Sequence, residues 1–511
     1  MDQRSRVLPV MIAIVVGVLG VGAALAVGDL VAAFIEPDAS PFLAVGNSAI
    51  DLTPLPLKDF AVRTFGTYDK LVLLSGMGAF LLVVAATAGV LSRRTPVPGT
   101  VFAILLGGLG VVAVLTRPNL TPIGVVAPLA SLVAGVLVFR GLHRLARVAD
   151  VDEPSGSGRR GFLLGSLGAL VGIGLAGAGG RFLIGKVDVE GSRAKVTQML
   201  AKNTLPSIPG GADFAADGTP TFLTPNAQFY RVDTALSVPQ LRAEDWTLRV
   251  HGLVDRELNL TFADIMAMDL VTRTITMTCV SNEVGGPYVS TANFTGVLLR
   301  DLLAKAGVQP GADQVLSSSV DGYSAGSPVA SVLDPRRDAM LAIGMNGQAL
   351  PPEHGFPARL VVPGIYGYAS ATKWLKDIEL TTFAAKKQYW VPRGYGEQAP
   401  IKTESRIDMP QGLQALPNGR VVVAGIAWAQ TKGIARVELQ MDGGPWQEAD
   451  LAVSVNNETW RMWRKVYDLK PGTHTVISRA TDTTGYTQTR DRVSPIPDGA
   501  TGWHTILFTT A

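Results

Sequence analysis

The sequence predicts a chain of three parts: an all-α transmembrane bundle of five helices, an α+β domain and a C-terminal β-sandwich. Charged residues make up only 17% of the 511 residues and the mean hydropathy is +0.27, whereas soluble domains carry ~25% charged residues. Long uncharged stretches occur only before residue 185, and after residue 400 short alternating segments are separated by turn residues. We expect a bundle over 1–185, a linker over 186–225, the α+β domain over 226–399 and the sandwich over 400–511.

The five predicted spans lack charged residues and have about the length that crosses a bilayer. They cover residues 7–27, 71–91, 97–116, 120–139 and 161–180. Arginines lie before the first span, between the second and third, and between the fourth and fifth, which marks these places as cytoplasmic. We therefore expect a multi-pass protein of a bacterial cell membrane, with a cytoplasmic N-terminus and an extracytoplasmic C-terminal part.

Two features of the bundle leave alternatives open. Arg159 and Arg160 precede Phe162 and Leu163 in a pattern that resembles a twin-arginine export signal, although arginines before a span are also ordinary anchors. The bundle is an anchor packed through small residues such as Gly168 and Gly172, or it contacts a quinone or a partner. No predicted span contains a histidine, because His143 falls in a loop, so we expect no haem on this chain.

Composition excludes several classes of function. The net charge is only +3, with 45 basic and 42 acidic residues, which argues against binding nucleic acid through phosphate contacts. The chain has one cysteine, Cys279, so it has no intrachain disulfide and no zinc or iron–sulfur site built from several cysteines.

The soluble part begins with mixed strands and helices. We predict strands over 246–254, 272–279 and 358–363, a short helix from Thr261 to Met268 and a second helix over 297–306. In the sandwich we predict strands over 420–428, 434–441, 460–469, 474–480 and 486–494. The second of these strands in the α+β domain places Cys279 at its carboxyl end.

The residues alone leave three interpretations of Cys279. A lone cysteine is most often a small buried hydrophobic residue. The second interpretation is a nucleophile, for which His354 or His251 would be the base. The third is a thiolate ligand of a metal. In the last case one cysteine suffices if a cofactor supplies the other ligands.

Four stretches resemble the sulfite oxidase family of molybdopterin-dependent oxidoreductases, over most of residues 226–511. The first is Gln-Phe-Tyr-Arg at 228–231, and the second is Thr-Cys-Val-Ser-Asn at 278–282 with Phe-Thr-Gly-Val at 294–297 and Asp-Leu-Leu at 301–303. The third contains Met-Asn-Gly at 345–347, His-Gly-Phe-Pro-Ala-Arg at 354–359 and Lys-Trp-Leu at 373–375. The fourth contains Gly-Ile-Ala-Trp at 425–428, Asp-Gly-Gly at 442–444 and Arg-Ala-Thr-Asp at 479–482.

This resemblance implies an enzyme that transfers an oxygen atom and two electrons, with molybdenum held by a single pterin and by Cys279. Asn282 belongs to the same catalytic loop. Arg359 and Lys373 match phosphate-binding positions of the cofactor, and Tyr230, Arg231 and His354 match pterin contacts. Ala371 and Thr372 match backbone contacts and Ser319 is a looser match. The resemblance also implies an immunoglobulin-like sandwich that often forms a homodimer.

The sequence departs from the family after Asn282, where Glu283 and Val284 replace arginines that help to bind sulfite. We therefore expect a small-molecule substrate other than sulfite. The spacing between Gly367 and Lys373 is also one residue longer, which makes the assignment of Ala371 and Thr372 uncertain by one position. A c-type cytochrome, a quinone or a membrane redox subunit would exchange the electrons. The alternative is an anchored binding or assembly module without a cofactor.

Overall fold

The structure is a computed structural model that describes residues 7–65, 68–149, 157–185, 187–232, 234–417 and 419–511. The chain divides into two compact units. A helical unit comprises Met1–Asp188 with Thr234–Gln240, and a β-rich unit comprises Val189–Asp233 with Leu241–Ala511.

The helical unit contains seven helices within its described residues. These are α1 (Val10–Ile35), α2 (Pro41–Leu52), α3 (Leu55–Phe65), α4 (Asp69–Leu91), α5 (Val97–Thr116), α6 (Val126–Ala149) and α7 (Ser157–Ile184). Five helical segments are long and apolar enough to cross a membrane: Val10–Ile35, Asp69–Leu91, Val97–Thr116, Pro122–Val148 and Gly158–Leu183. The prediction of five long apolar helices is confirmed, whereas α2 and α3 were not predicted.

Helix α1 packs against α4, α6 and α7. A side chain at Gly17 would clash with the carbonyl oxygen of Ala85 in α4, and one at Gly89 would clash with that of Ala13. Small residues thus let α1 and α4 approach closely. The expected packing through Gly168 and Gly172 was wrong, because no atom of the described residues lies within 4 Å of a Cβ built at either glycine.

Helix α6 is longer than the predicted fourth span. It continues to Ala149 and includes His143, which we expected in a loop. The Nε2 atom of His143 lies 2.7 Å from the carbonyl oxygen of Ser92 and the side chain is buried. The predicted span ended at Phe139, where the uncharged stretch ends, but the helix continues through the charged residues that follow.

The β-rich unit begins with α8 (Val189–Leu200), inside the segment that we expected to be a tether. The backbone N–H of Ala349 donates to the Thr197 hydroxyl (3.0 Å), and Arg193 donates to the carbonyl of Leu350 (3.0 Å). Buried Val196 and Leu200 add an apolar face. Contacts with residues about 150 positions away thus stabilise a helix that the local composition of this segment did not predict.

The first half of this unit, residues 241–399, contains two five-stranded sheets. Its elements are β1 (Thr247–Gly252), β2 (Leu258–Thr261), α9 (Phe262–Met266), β3 (Val271–Thr278), β4 (Val289–Leu298), α10 (Leu299–Ala306), β5 (Gln314–Ser319), β6 (Ser324–Pro328), α11 (Val329–Leu333), β7 (Met340–Met345), β8 (Gln348–Ala349), β9 (Arg359–Val361), α12 (Gly367–Ser370) and β10 (Leu375–Thr381). One sheet has the order β2-β1-β10-β5-β6; the other has the order β3-β4-β7-β8, and β9 also pairs with β7.

Local signals account for several of these elements. Thr261 and Asp264 form a capping box that starts α9. Three of the four leucines of the predicted second helix lie in α10, whereas Val297 and Leu298 still belong to β4. Leu299, Leu302 and Leu303 are buried on the inner face of the helix.

The second half contains two sheets, with the orders β11-β13-β17-β16 and β12-β19-β18-β14-β15. The strands are β11 (Glu404–Met409), β12 (Ala415–Leu416), β13 (Gly419–Trp428), β14 (Ile434–Met441), β15 (Trp446–Glu448), β16 (Asp450–Leu451), β17 (Arg461–Leu469), β18 (Gly472–Asp482) and β19 (His504–Thr510). Val423 and Trp463 of one sheet share a core with Val437 and Phe508 of the other. The two sheets therefore pack face to face as a sandwich.

The last predicted strand was wrong. Residues 486–494 form only isolated bridges, at Thr487 and Val493, whereas β19 supplies the missing strand. β19 pairs with β18 over seven residues, from Gly472↔Thr510 to Ser478↔His504. Residues 486–494 contain only two apolar side chains, Tyr486 and Val493, whereas β19 places Ile506 and Phe508 in the core and pairs with β18.

The sandwich covers the open edge of β3. The N–H of Thr276 donates to the carbonyl of Glu458 (2.9 Å), and the N–H of Trp460 donates to the Thr276 hydroxyl (2.7 Å). Gln430 donates to the carbonyl of Thr276 and to the hydroxyl of Thr278 (3.2 and 2.9 Å). The strand that leads to Cys279 is thus fixed along both of its edges.

Candidate molybdenum site

Cys279 follows β3 directly, as predicted, and is buried. Its N–H donates to the carbonyl of Tyr288 (3.0 Å), which closes a loop of ten residues over 279–288. Burial raises the pKa of the Cys279 thiol, and hydrogen bonds with Ser281 oppose that shift. A thiol in this position needs the charge of a bound metal to become a thiolate.

Asn282 lies in the same loop and its side chain has a fixed orientation. Its Oδ1 accepts a hydrogen bond from the N–H of Tyr288 (2.8 Å). The Nδ2 atom is buried and has no hydrogen-bond partner among the described residues. Because Asn282 is only 2% exposed, its amide is a buried donor for which the described residues provide no acceptor.

Arg359 carries a buried positive charge. It is 4% exposed, and its guanidinium donates to the carbonyl oxygens of His354 (3.1 Å) and Leu360 (3.4 Å). No carboxylate of the described residues pairs with it, and burial lowers its pKa to about 10. An unpaired buried cation is costly unless an anion binds beside it.

His354 is surrounded by cations. Its Nε2 lies 3.1 Å from the carbonyl oxygen of Asn226, so this nitrogen carries the proton. Burial and the charges of Arg359, Lys373 and Arg231 lower the pKa of His354 to about 4. The imidazole is therefore neutral, and three positive charges converge around it.

Lys373 belongs to the same group. Its Nζ donates to the carbonyl of Glu353 (3.2 Å) and lies 4.7 Å from the centre of the Trp374 ring. Gly355 has φ +107°, and a Cβ there would lie 2.9 Å from the Cβ of Lys373. Glycine is required at this position, because both the backbone conformation and the close approach exclude a side chain.

The Tyr230 hydroxyl reaches the end of β3. A Cβ built at Gly367 would lie 3.6 Å from the Tyr230 Oη, 3.7 Å from the Ala371 Cβ and 3.9 Å from the carbonyl oxygen of Thr278. Burial and the neighbouring Cys279 raise the pKa of Tyr230, while Arg359 opposes the shift. Tyr230 is thus a protonated donor close to Cys279, and Ala371 lies in the same place.

Ser319 and Thr372 make hydrogen bonds within the protein. The Thr372 hydroxyl hydrogen-bonds to that of Ser317 (2.7 Å). The Ser319 hydroxyl accepts from the N–H of Asp321 (3.4 Å), in the turn that follows β5. Ala371 donates its N–H to the carbonyl of Gly367 (3.0 Å). These contacts give Thr372 and Ser319 structural roles, whereas contact with a cofactor stays a prediction.

The end of the cysteine loop rests on the sandwich. Arg406 donates to the carbonyl of Gly286 (2.9 Å). Gly285 lies so close to the His504 ring that any side chain would clash with it. Glu283, between these glycines and Asn282, is exposed.

The geometry disfavours the interpretation of Cys279 as a nucleophile. His354 directs Nε2 to Asn226 and shares no hydrogen bond with Cys279 among the described residues. His251, the other candidate base, pairs with Asp377 (3.0 Å) on the sheet that contains β1 and β10. Neither histidine is in place to activate the thiol.

Sequence analysis missed several polar residues close to Cys279. Tyr366 lies in the Gly-Ile-Tyr-Gly turn after β9, and its pKa is raised by burial, by Glu404 and by Cys279. Glu404 and Gln430 belong to the sandwich half and approach the site only through tertiary structure. The turn was visible in the sequence, but nothing local marked the other two.

The donor set fits a molybdopterin cofactor. Arg359, Lys373 and Arg231 provide positive charge for a phosphate, Asn282 and Tyr230 provide hydrogen-bond donors, and Cys279 provides one soft ligand. The uncompensated charge of Arg359 and the unpartnered Nδ2 of Asn282 are the two observations that call for such a group.

Comparison with protein families agrees with this site. Residues 235–390 match the family described as the oxidoreductase molybdopterin binding domain. The matched range contains Cys279, Arg359 and Lys373 but ends before the sandwich.

Curated relatives include sulfite oxidases and nitrate reductases. The chain is 31% identical to mitochondrial sulfite oxidase of Rattus norvegicus over 292 residues, which are 48% of this chain and 53% of that protein. It is 30% identical to the Homo sapiens enzyme over 326 residues, 54% of this chain and 59% of that protein. It is 35% identical to NADPH nitrate reductase of Emericella nidulans over 193 residues, 33% of this chain and 22% of that protein. The chain thus spans little more than half of the sulfite oxidases.

Among solved structures, the sulfane dehydrogenase SoxCD from Paracoccus pantotrophus has a similar fold. The TM-score is 0.50 at 24% identity, and the match covers 60% of this chain and 88% of that chain. This likeness supports the β-rich fold. The family match and the relatives show that residues 235–390 form a molybdopterin-binding oxidoreductase domain, which is similar to that of the sulfite oxidases.

Proposed function

We propose that this protein is a membrane-anchored, extracytoplasmic molybdenum enzyme that transfers an oxygen atom to or from a small molecule. The observation that carries the proposal is the convergence of Cys279, the unpartnered amide of Asn282 and the unpaired cation of Arg359 on one site. When bound, the cofactor supplies the two-electron oxygen-transfer chemistry.

The residues of the chain would bind and orient the cofactor. Cys279 would ligate the metal, and Arg359 and Lys373 would hold the cofactor phosphate, one as a planar fork and the other as a point charge. Tyr230, Arg231 and His354 would contact the pterin, with Ser319, Ala371 and Thr372 along the wall. His354 stays neutral at pH 7, because its pKa is about 4, so it can accept a hydrogen bond at Nδ1 while Nε2 is bonded to Asn226.

Asn282 would orient the oxygen that is transferred. Its Oδ1 accepts from the N–H of Tyr288, and its buried Nδ2 has no acceptor among the described residues. A fixed neutral donor stabilises negative charge that develops on an oxygen and needs no reorganisation. Because the family's arginines are missing after Asn282, this amide favours substrates with less charge than sulfite, such as an organic sulfur compound, an S-oxide or an N-oxide.

The helical unit would anchor the enzyme in the bacterial cell membrane. Arginines at both ends of the predicted cytoplasmic loops support an N-terminus inside and a β-rich unit outside. Arg159 and Arg160, at the start of α7, support twin-arginine export of a folded, cofactor-loaded domain. The electron partner would be a separate carrier: a c-type cytochrome, a quinone or a membrane redox subunit.

The C-terminal half supports an immunoglobulin-like sandwich that serves as a homodimer surface. Two sheets of four and five strands share one apolar core, which is the architecture of that class. The boundary proposed near residue 400 lies just before β11.

Molybdenum content tests the proposal. Full-length protein purified in detergent, from a host that makes the pterin cofactor, should contain about one molybdenum per chain. Cys279→Ser should keep the pterin, because its phosphate ligands are intact, but X-ray absorption should show one fewer sulfur ligand. Folded wild-type protein without molybdenum would support the alternative, an anchored binding or assembly module.

A further inference from the structure

Four buried polar groups lie together between β11, β13 and the turn after β9, and none has all of its hydrogen bonds. They belong to Glu404, Trp428, Gln430 and Tyr366, which we call the polar seam. The Oε1 atoms of Glu404 and Gln430 and the Nε1 of Trp428 are buried without a partner among the described residues.

Two of these groups face each other. Glu404 of β11 and Trp428 of β13 are directly opposite in the antiparallel ladder, so their side chains leave the same face with Cβ atoms ~5 Å apart. One side chain ends in an unpartnered acceptor and the other in an unpartnered donor. They do not bond to each other, which is the arrangement that a bridging water satisfies.

The seam extends toward Cys279 at both of its ends. Gln430, two residues after Trp428, donates to the hydroxyl of Thr278, the residue before Cys279. The Tyr366 hydroxyl accepts from the N–H of Lys402 (3.4 Å), and its own proton has no acceptor among the described residues. Tyr366 is close enough to both Cys279 and Glu404 for their charges to act on it.

We propose that the polar seam holds bound water and conducts protons from the site at Cys279 to Glu404, which relays them by releasing its own proton as it takes up the next. This inference rests on the proposed function. In the oxidising direction water loses both of its O–H bonds, and its oxygen forms a bond to the substrate. Two electrons leave to the separate electron carrier and two protons must leave the buried site.

The surroundings of Glu404 suit this role. It is 4% exposed, and burial raises its pKa to about 8, with Lys402 opposing the shift. Lys402 and Tyr366 are the titratable groups that face it among the described residues. Glu404 is therefore protonated at pH 7 in the resting protein and can exchange that proton within the physiological range.

Infrared difference spectroscopy on the loaded, full-length protein tests the proposal. We expect a carboxylic-acid C=O band at pH 7 that moves when the metal centre is reduced, disappears in Glu404→Gln and shifts in Trp428→Phe. Glu458→Gln is the matched control, since Glu458 is a second buried carboxyl whose Oε1 is bonded to the N–H of Asp338 (2.8 Å). That variant should retain the redox-sensitive band.

Rapid-reaction kinetics supply the second measurement. Glu404→Gln should slow reduction of the centre by substrate at least tenfold, with molybdenum content unchanged. The pH dependence of this rate should lose its ionisation near pH 8. Glu404→Asp should restore part of the rate. An unchanged rate in loaded Glu404→Gln protein, or a redox-sensitive band that survives the substitution, would overturn the proposal. Protein without molybdenum would instead overturn the proposed function, and the two failures are therefore distinguishable.

Discussion

Arg359 donates a hydrogen bond to the backbone carbonyl of His354, 3.1 Å away. Burial lowers the pKa of the His354 imidazole, and the charge of Arg359 adds to that shift. A backbone carbonyl compensates only part of the guanidinium charge of Arg359, so a substitution at this position should affect both anion binding and stability.

Arg359→Met should change cofactor retention and stability in opposite directions. Loss of a charge-assisted bond to phosphate should weaken cofactor binding by about 10- to 100-fold. The cofactor-free protein should become more stable, because an unpaired buried charge is removed. Pterin content after gel filtration and the melting temperature of the cofactor-free protein measure the two effects.

The control for this prediction is Arg336→Ala, because the Arg336 side chain is 88% exposed and pairs only with Asp334. It should change neither quantity. Retention of the pterin by Arg359→Met would remove Arg359 from the phosphate site.

Asn282→Asp should lower kcat by ~10²- to 10³-fold, the usual cost of losing one donor to a developing oxyanion. The aspartate keeps the oxygen that accepts from Tyr288, so the loop and the molybdenum content should be preserved. Asn259→Asp, an exposed change of equal charge on β2, should have no effect. Wild-type activity in Asn282→Asp would assign the amide a purely structural role.

Glu283→Arg should improve binding of an anionic substrate. Glu283 is exposed on the cysteine loop, at the place where the family has arginine. We expect KM for sulfite to fall about five- to tenfold at low ionic strength, and less in salt, since screening weakens exposed charges. Asp269→Arg makes the same change at the opposite end of β3, and an equal effect there would show that only net charge matters.

Acid should weaken the contact between His504 and the cysteine loop. Burial, Arg406 and Arg492 lower the pKa of His504 to about 4, against ~6.5 in the unfolded chain. Between these values the unfolded state binds more protons, so stability falls as pH falls from 6.5 to 4. Protonation of Nδ1 also breaks its hydrogen bond from Ile407 (2.9 Å).

His504→Asn, which keeps an acceptor but does not titrate, should abolish this part of the pH dependence, about 1–3 kcal/mol. Unfolding of the full-length protein, followed by intrinsic fluorescence from pH 4 to 7, is the measurement. A parallel loss of stability in wild type and variant would attribute the acid sensitivity to other groups.

Replacement of Arg159 and Arg160 by lysine should retain the β-rich unit in the cytoplasm if export follows the twin-arginine route. Protease added to spheroplasts should then leave this unit intact, with the first four spans still inserted. The same replacement at Arg140 and Arg144 keeps positive charge and should not affect export. Digestion of the Arg159/Arg160 variant from outside would contradict the twin-arginine route.

Much of this protein followed from local pattern. Five uncharged stretches predicted five long apolar helices, because crossing a bilayer demands a continuous apolar segment that local sequence displays. Threonine occupies every second position from Thr272 to Thr278, so β3 and the position of Cys279 at its end were predictable. Short motifs around Cys279, Arg359 and Lys373 identified the family, because a cofactor site is built from a few residue types at fixed spacings.

Tertiary structure determined the elements and the buried polar groups that local sequence did not predict. Helix α8 is ordered by contacts with Ala349 and Leu350, and β19 forms through its pairing with β18, whereas residues 486–494 form only isolated bridges. The unpaired charge of Arg359, the free amide of Asn282 and the polar seam at Glu404 exist because burial removes water and withholds partners. Burial and hydrogen bonding depend on chain segments more than a hundred residues apart. Local sequence therefore predicted candidate ligands, whereas the electrostatics around them depend on the fold.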